Sequence, residues 1–322
     1  MSAPPVLAIV GATGVGKTEV ALELAEMLDG EIISADSRQI YRRLDIGTAK
    51  PTADELARAP HHLVDVAEPD EIFDAARFGQ LARAAVDDVT RRGRVPIVCG
   101  GTGLYLRALV EGLLEGAPAS PELRSELLRR EEGEGPGTLH ALLGVEDPET
   151  AARLHPHDVF RIVRALEVGR LTGRPMSVWQ REHGFRTRLL DAVVIGCERP
   201  RDELAVRVEA RCRAMLEAGF LTEIEELWAA GFSSELPALR SVGYLEMGRM
   251  LRGEVVFERA FEDFVRATMR LAKRQRTWFR GQTDARWFHP DRERGDIVGA
   301  ARTWFDNSWH GPISTSSAHS PR

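Results

Sequence analysis

The strongest constraint on the fold is the segment GATGVGKT at residues 11–18, which lies between the apolar run VLAIV (residues 6–10) and an amphipathic helical pattern. It fits the phosphate-loop pattern G-x-x-x-x-G-K-[ST] at each fixed position. In such a loop, glycines let backbone N–H groups converge on phosphate oxygens, the lysine (Lys17) supplies a charge, and the hydroxyl (Thr18) is placed to ligand Mg²⁺. The sequence therefore predicts a strand, loop and helix that bind a phosphate chain, without identifying the ligand.

Two further apolar runs predict buried parallel strands, EIISAD at residues 31–36 and RVPIVCGG at residues 94–101. Helical patterns alternate with the strands at residues 17–28 and 75–92. In the second helix, we expect one buried stripe to contain Phe78, Leu81, Ala85 and Val89. This alternation predicts a doubly wound α/β core in the first 112 residues.

The pattern changes at residues 113–188, where Gly and Pro separate short, charge-rich helical pieces and no strand is predicted. The run LLDAVVIGCE (residues 189–198) then predicts another strand. Long helices, a last strand (ARWFH) and a final helix continue the core to residue 308, and residues 309–322 form a Ser-rich tail that we expect to be disordered. The predicted fold class is α/β, with a phosphate-loop-containing parallel sheet core flanked by helices (residues 1–112 and 189–308) and an all-helical insertion domain (residues 113–188).

Composition excludes several classes of protein. The net charge of −6 argues against a general nucleic-acid coat protein, although clustered charge can still bind RNA. The three cysteines are far apart and form no C-x-x-C pair, so neither a zinc site nor a disulfide framework is expected. No signal peptide and no run of about 18 apolar residues is present, which predicts a cytoplasmic protein without a membrane partner.

Other parts of the chain leave the phosphate ligand open. An N-K-x-D motif is absent, and only Asp36 ends a predicted strand as an acid, while the strand near residue 100 ends in Gly100-Gly101-Thr102-Gly103. A small-molecule kinase remains an alternative, with Asp36 accepting the proton of the acceptor. Its arginine-rich lid would then contain Arg161, Arg164, Arg170 and Arg174.

A basic stretch, VRATMRLAKRQRTWFRGQT at residues 265–283, contains no acidic residue. It favours a helix face that follows RNA phosphates, with Trp278 and Phe279 either stacking on bases or anchoring the helix in the core. Arg207 and Arg211 lie one helical turn apart, so that both can point into one cleft.

Taken together, these segments resemble the tRNA dimethylallyltransferase (tRNA isopentenyltransferase) family, of the bacterial type. The matching segments occur in order and cover nearly all of residues 6–290: GATGVGKT, ISADSRQIYRRLDIGTAKP, APHHLVDV, VPIVCGGTGLYLRAL, HPHDVFRIVRALEV, RVEARCRAMLEAGF, LRSVGYLEM and LAKRQRTWFRG. The loop alone occurs in many families, whereas DSRQIYRRLDIGTAKP is highly specific.

The resemblance implies transfer of a dimethylallyl group from dimethylallyl diphosphate to N6 of the adenosine at position 37, just 3′ of the anticodon. It implies that Asp36 is the general base, that the cofactor Mg²⁺ assists at Thr18, and that Arg211 helps to neutralise the departing diphosphate. The implied diphosphate contacts are Gly11, Ala12, Thr13, Gly14, Val15, Gly16, Lys17 and Thr18.

The resemblance also implies that residues 113–188 grip the tRNA anticodon stem-loop, and we expect a monomer. The implied tRNA contacts are Asp36, Ser37, Arg38, Gln39, Thr102, Arg124, Phe160, Arg161, Ile162, Val163, Arg164, Arg240, Ser241, Val242, Gly243, Tyr244 and Leu245. Besides the kinase, the alternatives are a prenyltransferase acting on free nucleotides, which has no use for a long insertion, and a non-enzymatic tRNA-binding module, which needs neither Thr18 nor Asp36.

Overall fold

The computed structural model describes residues 4–112, 120–183, 188–309 and 311. The chain divides into two compact units. We call Met1–Val110 with Leu189–Arg322 the core unit, and Glu111–Arg188 the helical unit. Apart from residues 309 and 311, the segment for which we predict a disordered tail lies outside the described residues.

The first part of the core unit alternates strands and helices along the chain. Its elements are β1 (Pro5–Gly11), α1 (Lys17–Leu28), β2 (Gly30–Ser34), α2 (Ala53–Arg58), β3 (His61–His62), α3 (Ala75–Arg91), β4 (Val95–Gly100) and α4 (Gly103–Val110).

Helices make up the described part of the helical unit. They are α5 (Pro121–Glu134), α6 (Thr138–Glu146), α7 (Pro148–Arg153), α8 (Val159–Thr172) and α9 (Met176–His183). Their apolar faces form one cluster, which includes Leu127, Leu139, Leu143, Ile162 and Leu166.

The core unit resumes next to the point where the insertion begins, because the N–H of Leu189 donates to the carbonyl of Val110 at 2.7 Å. The remaining elements are β5 (Asp191–Cys197), α10 (Arg201–Glu217), α11 (Phe220–Ala229), α12 (Tyr244–Leu251), α13 (Phe257–Gln282), β6 (Arg286–Phe288) and α14 (Arg294–Ser308).

The six strands form a single sheet in the order β3-β2-β4-β1-β5-β6, and every neighbouring pair is parallel. The prediction of an α/β fold with a parallel sheet flanked by helices is confirmed. In a parallel sheet all carboxyl ends lie at one edge, where ligands of such folds bind. The loop of residues 11–18, Asp36 and the turn at residues 100–103 therefore gather at that edge.

Burial on both faces explains why the central strands read as unbroken apolar runs. Leu7, Ile9 and Ile97 are fully buried. The stripe predicted for α3 is wrong at Leu81, which is 38% exposed, whereas Phe78 and Val89 are buried. The buried face passes through Ala82 and Val86 instead, and Ala85 is only half-buried.

Among the described residues, no helix is both long enough and apolar enough to cross a membrane.

Candidate active site

The site is built around the glycine-rich loop, residues 11–18, which joins β1 to α1. Gly14 and Gly16 have φ angles of 79° and 101°, a left-handed conformation that glycine adopts without a steric penalty. The loop leads directly into α1 at Lys17. The first N–H groups of a helix have no partner within it, so this end of α1 favours an anion.

Side chains from later in the chain hold three successive residues of this loop. The N–H of Thr13 donates to Oε1 of Gln275 at 2.8 Å. Nε of Arg207 donates to the Gly14 carbonyl at 3.0 Å. Nε of Arg199 donates to the Val15 carbonyl at 2.7 Å. The loop is therefore fixed from outside, and the sequence reasoning missed Arg199 and Gln275.

Asp36 lies two residues beyond β2, at the carboxyl edge of the sheet. Its Oδ1 accepts the N–H of Arg38 at 2.9 Å, and Oδ2 has no hydrogen-bond partner among the described residues. Thr102 anchors the same turn, because its Oγ1 accepts the N–H of Ser37 at 3.0 Å and its own N–H donates to the Ala35 carbonyl at 3.1 Å. Asp36 is thus held in place with one carboxylate oxygen available.

The turn after β4 is rich in glycine because neighbouring groups leave no space for a side chain. A Cβ at Gly100 would lie 2.2 Å from the carbonyl oxygen of Ala35. A Cβ at Gly103 would lie 2.0 Å from the indole of Trp278. The Gly-Gly-Thr-Gly segment is therefore a close packing turn, which brings β4 against the Asp36 loop and α13 against α4.

Two cavities open next to this edge, with volumes of about 430 and 380 Å³. The first is lined by the glycine-rich loop and by Lys17 and Thr18. The second lies on the side of Ser37 and Arg38. The residues that line both cavities are Thr13, Asp36, Thr48 and Arg211.

Arg211 and Arg207 both line the first cavity, as the spacing of one helical turn predicts. Burial lowers the pKa of the Arg211 guanidinium, while the negative charge of Asp36 acts in the opposite direction. An arginine keeps its proton in spite of such a shift. The junction of the cavities therefore combines a fixed cation with a carboxylate.

The predicted tRNA contacts at residues 240–245 include both cavity-lining and buried side chains. Arg240, Ser241 and Val242 line the second cavity. Tyr244 is 3% exposed, and its hydroxyl donates to Oε1 of Glu223 at 2.5 Å. Among the predicted tRNA contacts near Asp36, Gln39 lines the first cavity, whereas Ser37 and Arg38 line the second.

Glu223, which the sequence reasoning missed, anchors a loop that lines both cavities. Its carboxylate accepts the N–H groups of Asp45, Ile46 and Gly47 at 2.8, 2.6 and 3.0 Å. Thr48 follows directly in the chain. This buried carboxylate thereby fixes the cavity wall near the end of the segment DSRQIYRRLDIGTAKP.

The basic helix α13 has two functions in the structure. Phe279 is 1% exposed and Trp278 packs on Gly103, so this aromatic pair anchors the helix. Arg274 lines the second cavity, whereas Arg276 and Arg280 pair with Glu198.

Within the helical unit, the predicted tRNA contacts at the start of α8 differ in exposure. Phe160 is 82% exposed and the side chain of Arg161 is 68% exposed, whereas Ile162 and Val163 belong to the apolar cluster. The structure therefore exposes an aromatic ring and a guanidinium at this helix end.

Arg124 and Arg164 flank Glu167, which is fully buried, with N···O distances of 2.8 and 2.5 Å. Burial alone would raise the pKa of Glu167, but hydrogen bonds from both guanidinium groups and from the Ser120 N–H lower it below its ordinary value. Glu167 therefore ties Arg124 of α5 to α8 and also holds Arg164 of its own helix.

Among the described residues, no group of three or more His, Cys, Asp or Glu side chains is placed to hold a metal ion. The cysteines are buried, and burial raises the pKa of Cys99 and Cys212 to about 11. Burial therefore favours the protonated form of these thiols.

Comparison with known proteins gives consistent matches over most of the chain. A family model described as IPP transferase matches residues 39–282. The tRNA dimethylallyltransferase of Halorhodospira halophila is 50% identical over 289 residues, which cover 89% of this chain and 93% of that protein. That of Syntrophobacter fumaroxidans is 47% identical over 298 residues, which cover 92% and 87%.

Solved structures share the fold. The full-length tRNA isopentenylpyrophosphate transferase from Bacillus halodurans is 37% identical, with a TM-score of 0.68 over 94% of this chain and 95% of that chain. A eukaryotic dimethylallyltransferase acting on tRNA is 27% identical, with a TM-score of 0.79 over 97% of this chain and 81% of that chain. Since the family model and these relatives span most of the sequence, the chain belongs to the IPP transferase family.

Proposed function

We propose that this chain is a tRNA dimethylallyltransferase, which transfers a dimethylallyl group from dimethylallyl diphosphate to N6 of adenosine 37 in tRNA and releases diphosphate. One observation carries the proposal: two cavities meet at Thr13, Asp36, Thr48 and Arg211. A donor in one cavity and a nucleobase in the other would meet beside a carboxylate and a guanidinium. The similar proteins from Syntrophobacter fumaroxidans and Halorhodospira halophila are tRNA dimethylallyltransferases, which agrees with this reaction.

We place the donor's diphosphate at the glycine-rich loop. The loop N–H groups, the α1 N-terminus, Lys17 and Arg211 form a cradle for negative charge. As the C1–O bond of the donor breaks, the electron pair leaves on the diphosphate oxygen. Fixed positive groups then stabilise the charge that develops there.

We assign the general base to Asp36. The exocyclic amine of adenine is a weak nucleophile because its lone pair is delocalised into the ring. As N6 bonds to C1 of the dimethylallyl group, the free Oδ2 of Asp36 takes the proton that N6 loses. Since the target base must leave the anticodon-loop stack, the cavity beside Ser37 and Arg240 is suited to receive it.

The donor set of the first cavity fits Mg²⁺. Thr18, which lines it, carries a hydroxyl oxygen, and Mg²⁺ in such sites takes its other ligands from phosphates and water. Bound there with the donor, Mg²⁺ would supply positive charge to the diphosphate. Lys17 and Arg211 supply the protein's own share of that charge.

We assign prenyl transfer to residues 1–112 and 189–308, and the grip on the anticodon stem-loop to residues 113–188. Exposed Phe160 and Arg161 support the second assignment, because aromatic rings stack on bases and guanidinium groups pair with phosphates. We also propose that the protein acts as a monomer and, because its substrate is tRNA, in the cytoplasm.

The test is to incubate the protein with unmodified tRNA, Mg²⁺ and either dimethylallyl diphosphate or ATP, and to analyse the digested nucleosides by mass. We expect a prenyl increment on adenosine with the allylic donor alone. ATP consumption without prenylation would instead identify a small-molecule kinase. Binding of tRNA without either reaction would identify a non-enzymatic tRNA-binding module.

Replacing Thr18 with alanine is expected to raise the KM for dimethylallyl diphosphate about tenfold and to raise the Mg²⁺ concentration needed for half-maximal rate, because a hydroxyl ligand near the diphosphate is removed. Steady-state prenylation at varied Mg²⁺ measures both values. Thr303→Ala on α14 removes a hydroxyl that donates to the Gly299 carbonyl of its own helix and is the control. An unchanged Mg²⁺ dependence in Thr18→Ala would contradict the placement of the diphosphate.

Replacing Arg161 with glutamate is expected to weaken tRNA binding and to lower the slope of log Kd against log salt by about one for every phosphate that the side chain no longer neutralises. Filter binding at several salt concentrations measures the slope. Arg91→Glu on α3 makes the same charge change outside residues 113–188, at a side chain that is 72% exposed and lines neither cavity, and should leave the slope unchanged. Equal slopes in the two variants would leave Arg161 as an ordinary surface charge.

A further inference from the structure

Gln275 occupies a position at which the basic helix α13 meets the glycine-rich loop. Its Oε1 accepts the N–H of Thr13 at 2.8 Å, although the two residues are 262 positions apart. Thr13 lines both cavities, while Gln275 lines only the second. A side chain on the base side of the site is therefore bonded to the backbone on the diphosphate side.

The turn after β4 is shaped to accept this glutamine. A Cβ at Gly101 would lie 2.4 Å from Nε2 of Gln275, and a Cβ at Gly103 would lie 2.0 Å from Trp278. Residues three apart share one face of a helix, so Gln275 and Trp278 dock together on the two glycines. The close approach of α13 to this turn brings Oε1 within reach of Thr13.

The contact acts together with two arginines that hold the next carbonyl groups of the loop. Arg207 bonds the carbonyl of Gly14, and Arg199 bonds that of Val15. In a planar trans peptide, the C=O and the following N–H point in opposite directions. The Arg199 contact therefore turns the N–H of Gly16 away from Arg199. Gly16 lines the first cavity, where an anion is expected.

We propose that Gln275 is a positioning residue for the prenyl donor: by accepting the Thr13 N–H, it fixes the start of the glycine-rich loop so that the N–H groups of Gly16 and of the first turn of α1 face the diphosphate. The inference rests on the proposed function. It assigns to the basic helix a role in donor binding, in addition to any contact with RNA. Gln275 acts through the loop backbone and touches neither reacting atom.

The test compares Gln275→Leu, which keeps the volume and removes the acceptor, with Arg274→Ala at the preceding position of α13. Arg274 lines the second cavity and is not among the lining residues of the first. We expect Gln275→Leu to weaken the binding of inorganic diphosphate with Mg²⁺, measured by calorimetry, by about tenfold, because one loop N–H loses its partner. The KM for dimethylallyl diphosphate should rise equally, and the Kd for tRNA should stay within about twofold.

Arg274→Ala should show the opposite pattern, with weaker tRNA binding and unchanged diphosphate binding. A second variant, Gly101→Ala, displaces the Gln275 amide without removing it. It should weaken diphosphate binding as well, and the double variant should bind diphosphate no more weakly than Gln275→Leu alone, because both changes break one contact. Thermal unfolding midpoints identify any variant that fails to fold.

Unchanged diphosphate binding in a folded Gln275→Leu protein would overturn the proposal, as would a decrease in tRNA affinity equal to that of Arg274→Ala. Fully additive effects of Gly101→Ala and Gln275→Leu would also overturn it. Failure of the wild-type protein to prenylate tRNA would refute the proposed function instead, and the diphosphate titration would still test Gln275.

Discussion

Replacing Asp36 with asparagine is expected to lower the single-turnover rate of prenyl transfer by about 10² to 10⁴-fold. Asparagine keeps the Oδ1 atom that accepts the Arg38 N–H, so the turn is retained. It does not have the carboxylate that takes the proton from N6. Rapid quenching with saturating tRNA and dimethylallyl diphosphate measures the rate, and the Kd for tRNA should remain within about threefold of wild type.

Asp87→Asn provides the matched control, because Asp87 is an exposed carboxylate on α3 that lines neither cavity. Its single-turnover rate should equal that of wild type. If Asp36→Asn also reacted at the wild-type rate, Asp36 would be removed from the role of base, and another group would have to accept the proton.

Replacing Gly100 with alanine is expected to lower both stability and activity. The added Cβ would lie 2.2 Å from the Ala35 carbonyl oxygen and 2.4 Å from its carbonyl carbon. These are backbone atoms, so relief requires β4 and the Asp36 loop to move apart. We expect a decrease of roughly 1–3 kcal/mol in the free energy of unfolding, as for other overpacked sites, and a rate about 10² lower because Asp36 shifts.

Gly299→Ala is the control for this change. Gly299 lies within α14, and an added Cβ there meets nothing within 4 Å in the described part of the chain. Alanine is the better helix former, so the free energy of unfolding should rise by up to about 1 kcal/mol with the rate unchanged. Chemical denaturation measures both stabilities. A Gly100→Ala protein as stable and as active as wild type would show that β4 and the Asp36 loop separate at little cost.

Much of the fold follows from local sequence patterns. The central strands are apolar on both faces, and the run that becomes β1 ends directly at the glycine-rich loop. The two-residue strand β3 was not predicted, because His61 and His62 carry no strand pattern and pair only through the edge of β2. In α3 the buried face is set by tertiary packing, which overrides the apolar character of Leu81.

The candidate site was predictable where its residues follow a strand or belong to one motif. Asp36 and Thr102 come together because the carboxyl ends of β2 and β4 are neighbours in the sheet. Arg199 and Glu223 were not predictable, since each contacts a backbone 184 or 177 positions away. Those contacts form only in the folded protein. The sequence around each residue contains no motif that indicates its partner.

The distance along the chain between the glycine-rich loop and its supports also bears on protein synthesis. The loop is synthesised before its supports, because the glutamine that holds Thr13 is encoded 262 residues later. At roughly 5–20 residues per second, that interval lasts on the order of 10–50 seconds. A nascent chain therefore contains the complete phosphate-loop motif long before it can hold that motif in shape, and the donor site becomes complete only after Gln275 has been synthesised.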